Sequence, residues 1–316
     1  MTDTPVVELA APDIAKYRDG GAGIPFVHTW DSGKPGRHVM ISALTHGNEI
    51  CGAIALDFLF CLNIRPSTGK LTFAFVNIDA HALFDPKSPY ASRFVNEDFN
   101  RLWEEARLEG PDDTVELRRA RELRPLFDTV DDLLDIHSMT SNSPPLVLVN
   151  ALEKHVAMAR RVAYPAYVVT GPVFAPGKRL IEYTPFDDPT NDKTALLVEC
   201  GQHWAAASGV AAKETAVRFL AATGVLTAEA AAPLLAWPSL APQQVLDVTD
   251  GVTAETDTFR FTQAYRGCEV FPKAGAVIAT DGGREITTPY DDCALIMPNH
   301  RARAGQRVAR LARRRA

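Results

Sequence analysis

The sequence predicts an α/β fold: a mainly parallel or mixed sheet flanked by helices, followed by a smaller β-rich C-terminal unit. Three observations carry that prediction. Short apolar runs rich in β-branched residues recur between residues 37 and 200. Segments of helical period separate several of them, the pattern of strands joined by crossover helices. After about residue 235 the helical period disappears and short β-branched runs are punctuated by Gly, Pro and Asp, as in an antiparallel meander.

In chain order, "RHVMISAL" (37–44) reads as a buried strand and "EICGAIALDFLFCL" (49–62) as the helix after it. "KLTFAFVNI" (70–78) is the next strand. The segment 112–130 alternates charged and apolar positions at helical spacing, and "DDLLDIHSMT" (131–140) is a short buried strand delivering His137. Strands follow at 145–150, 166–170 and 194–200, with helices over 152–163 and 206–223. Such alternation implies a sheet covered on both faces. "LLAWPSLAPQQ" (234–244) reads as a linker, dividing the chain into a catalytic unit of residues 1–234 and a β-rich unit of residues 235–316 that caps the mouth of the site.

Of 316 residues, 33 are Lys or Arg and 39 are Asp or Glu, a net charge of -6 that argues against a broad nucleic-acid footprint. The local exception is the basic tail "RARAGQRVARLARRRA" (301–316), read as a solvated terminal strand or helix. Five cysteines without CxxC spacing fit reduced thiols in a cytoplasmic protein. The first residues lack the basic and apolar regions of a secretory signal, and no apolar run reaches the ~20 residues needed to span a bilayer.

Ligand sites in open α/β sheets lie outside the carboxyl ends of the strands. His46 with Glu49, then His137, then Glu199 fall at such ends. His-x-x-Glu across a strand-to-helix turn can aim an imidazole and a carboxylate at one point, and His137 would complete a His₂Glu set. Such a set with an open fourth position is a catalytic zinc arrangement, and Glu199 would remain free as a base. The plainer reading makes Glu49 a helix N-terminal carboxylate favoured by the macrodipole, with His46 satisfied by backbone. Gly47 and Asn48 suit a turn joining the pair, and a histidine and a carboxylate delivered on buried strands need partners.

"THGNE" (45–49), "SRFVNEDFNRLW" (92–103), "VELRRARELRPLF" (115–127), "DIHSMTS" (135–141) and "LLVECGQH" (196–203) together resemble the aspartoacylase and succinylglutamate desuccinylase family, zinc amidohydrolases of carboxypeptidase-like fold. The resemblance spans roughly 35–225. It implies one zinc ion (Zn2+) per chain on His46, Glu49 and His137, Glu199 as general base, and Arg93 as the group polarising the scissile carbonyl. It also implies that Asn100 and Arg101 hold a substrate carboxylate and that Tyr290, in "ITTPYDD", reaches over the site. The expected substrate is an N-acyl amino acid or similar small carboxylate; no nucleic-acid or membrane partner is expected, and a homo-oligomer is left open.

One departure bears on the substrate. Where aspartoacylase carries a second carboxylate-gripping arginine, about ten residues before the catalytic glutamate, "FDDPTNDKTALLVE" (186–199) offers Pro189 beside Asp187 and Asp188, with Lys193 nearer the strand. The expectation is therefore a substrate with one carboxylate, or with a neutral or cationic side chain. Of the remaining residues, His203 either lines the pocket or packs, and Asp79 and His81 are read as loop residues. Cys200 is expected on the opposite face from Glu199. Arg118, Arg119 and Arg121 are read as a solvated helix face paired with Glu116 and Glu122. A metallocarboxypeptidase is the rival enzyme. A lipoyl- or biotinyl-type carrier is the rival of another class, but its hairpin tip here, Gly282-Gly283-Arg284, has no lysine.

Overall fold

The computed structural model describes residues 6–21, 23–172, 175–237 and 239–315. Residues 1–5, at the expected signal-free start, and Pro238, in the expected linker, lie outside the described residues. The strands are β1 (Val27–Asp31), β2 (His38–Ala43), β3 (Lys70–Phe75), β4 (Asp132–Met139), β5 (Leu146–Val149), β6 (Tyr167–Thr170), β7 (Thr194–Gln202), β8 (Gln244–Thr253), β9 (Arg260–Phe261), β10 (Glu269–Phe271), β11 (Val277–Asp281), β12 (Arg284–Thr287), β13 (Cys293–Ile296) and β14 (Arg307–Arg314). The helices are α1 (Ile50–Cys61), α2 (Ile78–Ala82), α3 (Glu105–Leu108), α4 (Val115–Thr129), α5 (Glu153–Val162), α6 (Ala206–Ala222) and α7 (Ala228–Ala231). Every strand and helix expected before residue 223 is present within a few residues of its expected ends.

Eleven strands form one mixed sheet in the order β1-β3-β2-β4-β7-β5-β6-β8-β14-β13-β10. Its centre is parallel: β2 pairs with β3 and β4, and β4 with β7, in register such that His137 lies beside Glu199. Alternate side chains divide between two cores, as the two-residue period of a strand requires. Ile41, Leu134, Ile136, Leu196 and Val198 pack with α1, α5 and α6 on one face. Met40, Leu133, Ala195 and Leu197 pack on the other with Leu117, Ala120, Leu123 and Phe127 of α4 and with Phe99 and Trp103. The apolar positions of α4 recur every three to four residues, and the Thr114 hydroxyl caps its first turn by accepting the Leu117 N–H at 3.2 Å.

The C-terminal strands prolong this sheet, because β8 pairs in parallel with β6 and carries β14, β13 and β10 beyond it. They also hold an apolar cluster of their own around Phe259, Ile278, Leu295 and Val308, beside a small sheet of β12, β11 and β9. The β11–β12 turn has Gly282 at φ 57° and Gly283 at φ 82°, the paired positive φ angles of a type I′ hairpin. The basic tail departs from expectation: β14 lies between β8 and β13 with Val308, Ala309, Leu311 and Ala312 buried, because an inner strand is covered on both faces, Leu311 in one apolar cluster and Ala312 in another. Among the described residues no helix is long and apolar enough to cross a membrane.

Candidate active site

The site forms where β2, β4 and β7 end side by side. Beyond β2 the chain turns sharply at Leu44, whose φ of 61° is a left-handed conformation costing on the order of 1 kcal/mol for a residue with a Cβ. The turn throws His46 over the sheet edge, and the chain re-enters helix at Ile50, placing Glu49 at the N-terminal end of α1. Gly47 is required by close approach: a Cβ there would lie 2.4 Å from the Ala80 backbone and 2.5 Å from the Ser92 carbonyl. The loop is pinned from behind, because His81 Nδ1 lies 2.9 Å from the Gly47 carbonyl and the Gly47 N–H donates to the Arg93 carbonyl at 3.1 Å. Asp79 and His81, read as loop residues, sit instead on α2, from which His81 supports this turn without lining the active-site cavity.

His46 Nδ1 lies 2.8 Å from Glu49 Oε1, and His137 Nδ1 lies 3.0 Å from Glu49 Oε2. One ligand atom from each of these three buried residues falls within 4.8 Å of the others, a set that could hold a metal ion. Their far sides are anchored by carboxylates absent from the expected site. His137 Nε2 is 2.6 Å from Asp135, which also accepts the hydroxyls of Ser42 and Thr45 at 2.7 and 2.8 Å. His46 Nε2 is 2.8 Å from Asp98. An imidazole that donates one N–H to a carboxylate presents its other nitrogen as a lone pair, the outer-sphere pattern of metal-binding histidines. Burial alone would raise Glu49, but the adjacent His46 and His137 outweigh it and hold its carboxyl well below the usual range. Burial likewise opposes charge on His137, yet Asp135 and Glu49 raise it well above an ordinary histidine. These opposed shifts are those of the buried pairing between Glu49 and His137.

Glu199 is on the same face of the sheet and almost fully buried, and its Oε2 has no hydrogen-bond partner. Burial, reinforced by the neighbouring charge of Glu49, pushes its carboxyl up to about 8. A nearby cation would reverse part of that rise by favouring the ionised form. Cys200 points to the opposite core, as expected from strand alternation.

Arg93 sits beside this group, 3.2 Å from Glu49 and 3.1 Å from Asp98. Its loop is built on Glu116, whose carboxylate accepts the backbone N–H groups of Val95, Asn96 and Glu97 at 2.6, 3.0 and 3.3 Å. The solvated-face reading of α4 fails here. Glu116 and Arg119 are buried, and Arg119 donates to the carbonyls of Pro25, Phe75 and Val76 at 2.9–3.0 Å, because the loops around the sheet edge leave backbone groups that need partners. Arg121 also serves backbone, donating to the Leu108, Asp112 and Gly110 carbonyls. Arg118 keeps to the surface beside Asp113.

A cavity of about 290 Å³ joins these residues and is also lined by Asn100, Arg101, Ser138, Ser143 and His203. Asn100 accepts the Leu180 N–H on its side-chain oxygen at 2.8 Å, and Arg101 donates to the Asn100 carbonyl at 2.6 Å. His203 lies 2.8 Å from the Ser138 hydroxyl and lines the cavity; burial pushes its pKa down to about 4, so it is neutral. Two further arginines reach the wall: Arg179 from the loop before β7, and Arg310 from β14. Pro189 is not on the cavity wall; Arg179, ten residues earlier in the chain, and Arg310, from a distant strand, are. The expectation for Tyr290 is corrected. Its hydroxyl meets Thr249 on β8 and its ring lies 3.7 Å under the Arg313 guanidinium, so it packs on the C-terminal strands rather than lining the cavity.

The model of the succinylglutamate desuccinylase/aspartoacylase catalytic domain matches residues 35–226. Among solved structures, succinylglutamate desuccinylase from Vibrio parahaemolyticus is 20% identical, with a TM-score of 0.60 over 88% of this chain and 82% of that one. A succinylglutamate desuccinylase from Silicibacter sp. TM1040 is 19% identical, with a TM-score of 0.65 over 92% and 88%. The ectoine utilization protein EutE (DoeB) from Ruegeria pomeroyi, solved with product bound, is 19% identical, with a TM-score of 0.63 over 88% and 86%. No curated protein matches the chain.

Proposed function

Because this chain belongs to the succinylglutamate desuccinylase/aspartoacylase family, we propose that it is a zinc-dependent amidohydrolase that removes the acyl group of an N-acyl amino acid or related small carboxylate. The observation that carries this reading is the meeting, in one cavity, of the His46–Glu49–His137 set, the unpartnered Glu199 carboxylate and the Arg93 guanidinium.

The donor set fits zinc, which takes imidazole nitrogen and carboxylate oxygen in three-ligand catalytic sites, and Asp135 and Asp98 would fix both imidazoles for it. When bound, zinc supplies Lewis acidity and makes water nucleophilic near neutral pH. The chain's own groups do the rest. Glu199 accepts a proton from the attacking water and delivers it to the amide nitrogen as the C–N bond breaks. Arg93 offers N–H donors to the oxygen on which charge develops, a contribution commonly worth about 3 kcal/mol. Asn100, whose side-chain nitrogen is its remaining donor, and Arg101 hold a carboxylate of the substrate; Tyr290 has no part in that contact in this geometry. In this reading residues 1–234 supply the chemistry and residues 235–316 narrow its entrance, supported by Met297, Pro298 and Arg310 on the cavity wall. The five free thiols fit a cytoplasmic location.

The test is metal analysis of the purified protein together with hydrolysis of N-acetyl, N-formyl and N-succinyl amino acids before and after chelation. About one zinc per chain and chelator-sensitive amine release are expected, with Glu199→Ala keeping metal but losing most turnover and His137→Ala losing both. Near-full turnover by Glu199→Ala would remove it as the base, and preferential cleavage of longer peptides would favour a carboxypeptidase.

A further inference from the structure

A second cavity, of about 330 Å³, lies behind the turn that carries His46 and shares no lining residue with the first. One wall is α2, which contributes Ile78, Asp79 and His81. The N-terminal segment supplies Asp13, Ile14 and Arg18, with Phe26 beside it. That segment is fixed to the body of the protein, because the Tyr17 hydroxyl donates to Asp57 of α1 at 2.7 Å and its ring stacks on Phe60 at a centroid distance of 4.0 Å. Ile14 and Phe26 are buried, which gives the cavity an apolar surface between its charged groups.

Those charged groups are uncompensated. Arg18 lies over the Phe26 ring, 5.2 Å from its centroid, and has no carboxylate partner among the described residues. Asp79, in the first turn of α2, has no cationic partner among them either. Asp13 accepts the Ala15 N–H on Oδ1 at 2.9 Å, which leaves its second oxygen. His81 adds a defined acceptor. Its Nδ1 lies 2.9 Å from the Gly47 carbonyl, and a carbonyl only accepts, so Nδ1 carries the hydrogen. Burial lowers the pKa of His81, and in the neutral ring Nε2 is a lone pair, without a partner among the described residues. A cation at one place, acceptors at another and apolar surface between them complement a small molecule that carries a carboxylate, an ammonium group and an apolar body.

We infer that this cavity binds a free α-amino acid with an apolar side chain, its carboxylate on Arg18 and its ammonium group on Asp79 and His81, and that His81 transmits occupancy to the active site. The route is short. His81 holds the Gly47 carbonyl, Gly47 adjoins His46, and the Gly47 N–H donates to the Arg93 carbonyl at 3.1 Å. Binding itself does not depend on the deacylase reading; under that reading the occupant belongs to the class of the amine product.

The experiment is calorimetric titration of the zinc-loaded protein with L-leucine, with 4-methylpentanoate, which lacks the ammonium group, and with 3-methylbutylamine, which lacks the carboxylate. Leucine should bind, and each analogue should bind about 3- to 10-fold more weakly, the worth of one charge pair that is partly screened by solvent. Arg18→Gln and Asp79→Asn should weaken leucine binding by a similar factor. Leucine held in the active site as a product would be untouched by these two substitutions, so the event they weaken belongs to the second cavity. No leucine binding, or binding unchanged in both variants, overturns the inference. For the link, saturating leucine should shift kcat/KM on the best substrate by about 5-fold more or less in wild type than in Arg18→Gln, the low end of coupling between sites. Identical responses refute transmission through His81. Should nothing be hydrolysed, the deacylase reading fails by itself; the titrations still decide the site, and zinc affinity with and without leucine, by competition with a chromophoric chelator, decides the link by the same comparison.

Discussion

Replacing Glu116 tests whether α4 builds the active-site loop rather than merely decorating the surface. Its carboxylate receives three successive backbone N–H groups from Val95, Asn96 and Glu97, and the Asn77 side chain donates to it at 3.3 Å. A hydrogen bond to a charged group contributes about 1.5–3 kcal/mol net. Counting only the two shorter contacts, at 2.6 and 3.0 Å, Glu116→Ala should lose about 3–6 kcal/mol. Glu116→Gln keeps the shape and one acceptor but turns an amide toward backbone donors, so about 2–3 kcal/mol is expected. In a chain of 316 residues that corresponds to a fall in Tm of roughly 5 °C. The functional effect should be larger. Arg93 and Asp98 flank the tethered segment, and a displacement of about 1 Å in a positioned group can cost about 100-fold in rate. His46, Glu49 and His137 lie outside it, so bound metal should stay within a few-fold of wild type. Thermal denaturation, kcat/KM on the best substrate and metal content, all on Glu116→Gln, check the three expectations. A variant with native Tm and kcat/KM within two-fold would show that the loop holds itself, and the reasoning would be wrong.

Two further outcomes follow from the same geometry. Asp135→Asn removes the carboxylate 2.6 Å from His137 Nε2 and should weaken zinc binding about 10- to 100-fold, measured by competition with a chromophoric chelator; undiminished affinity would show that His137 needs no anchor. His155 is buried, receives the Ala195 N–H at 3.0 Å and donates to the Phe186 carbonyl at 3.1 Å, and burial, aided by Lys154, pushes its pKa down to about 4. Unfolded, it takes a proton below about 6.5 while the folded form stays neutral, so its stabilisation is full above that pH and is lost as pH falls to about 4, by up to about 3 kcal/mol. The stability gap between wild type and His155→Gln should narrow over that window; a gap independent of pH would contradict the assignment.

The sequence by itself determined what short-range physics encodes. Apolar runs such as residues 38–43 and 194–200 could be buried on both faces only as central strands, and the helical period of 115–129 had one outcome. The turn through Gly47 and the strands bearing His137 and Glu199 needed only the rule that sites lie at carboxyl ends, so the core of the site was legible. Asp135 was legible too in retrospect, two residues before His137 and hence on the same strand face. Tertiary structure alone decided the rest. Glu116 and Arg119 carry the pattern of a solvated helix, and only the loops that pack over α4 reveal the backbone groups they satisfy. Arg310 lies 111 residues after Glu199 in a tail that reads as solvated, and it reaches the cavity because β6 accepts β8 and β8 accepts β14. Local sequence fixes which face a side chain takes within its own strand, whereas strand order, set by long-range pairing, fixes which distant charges share a cavity.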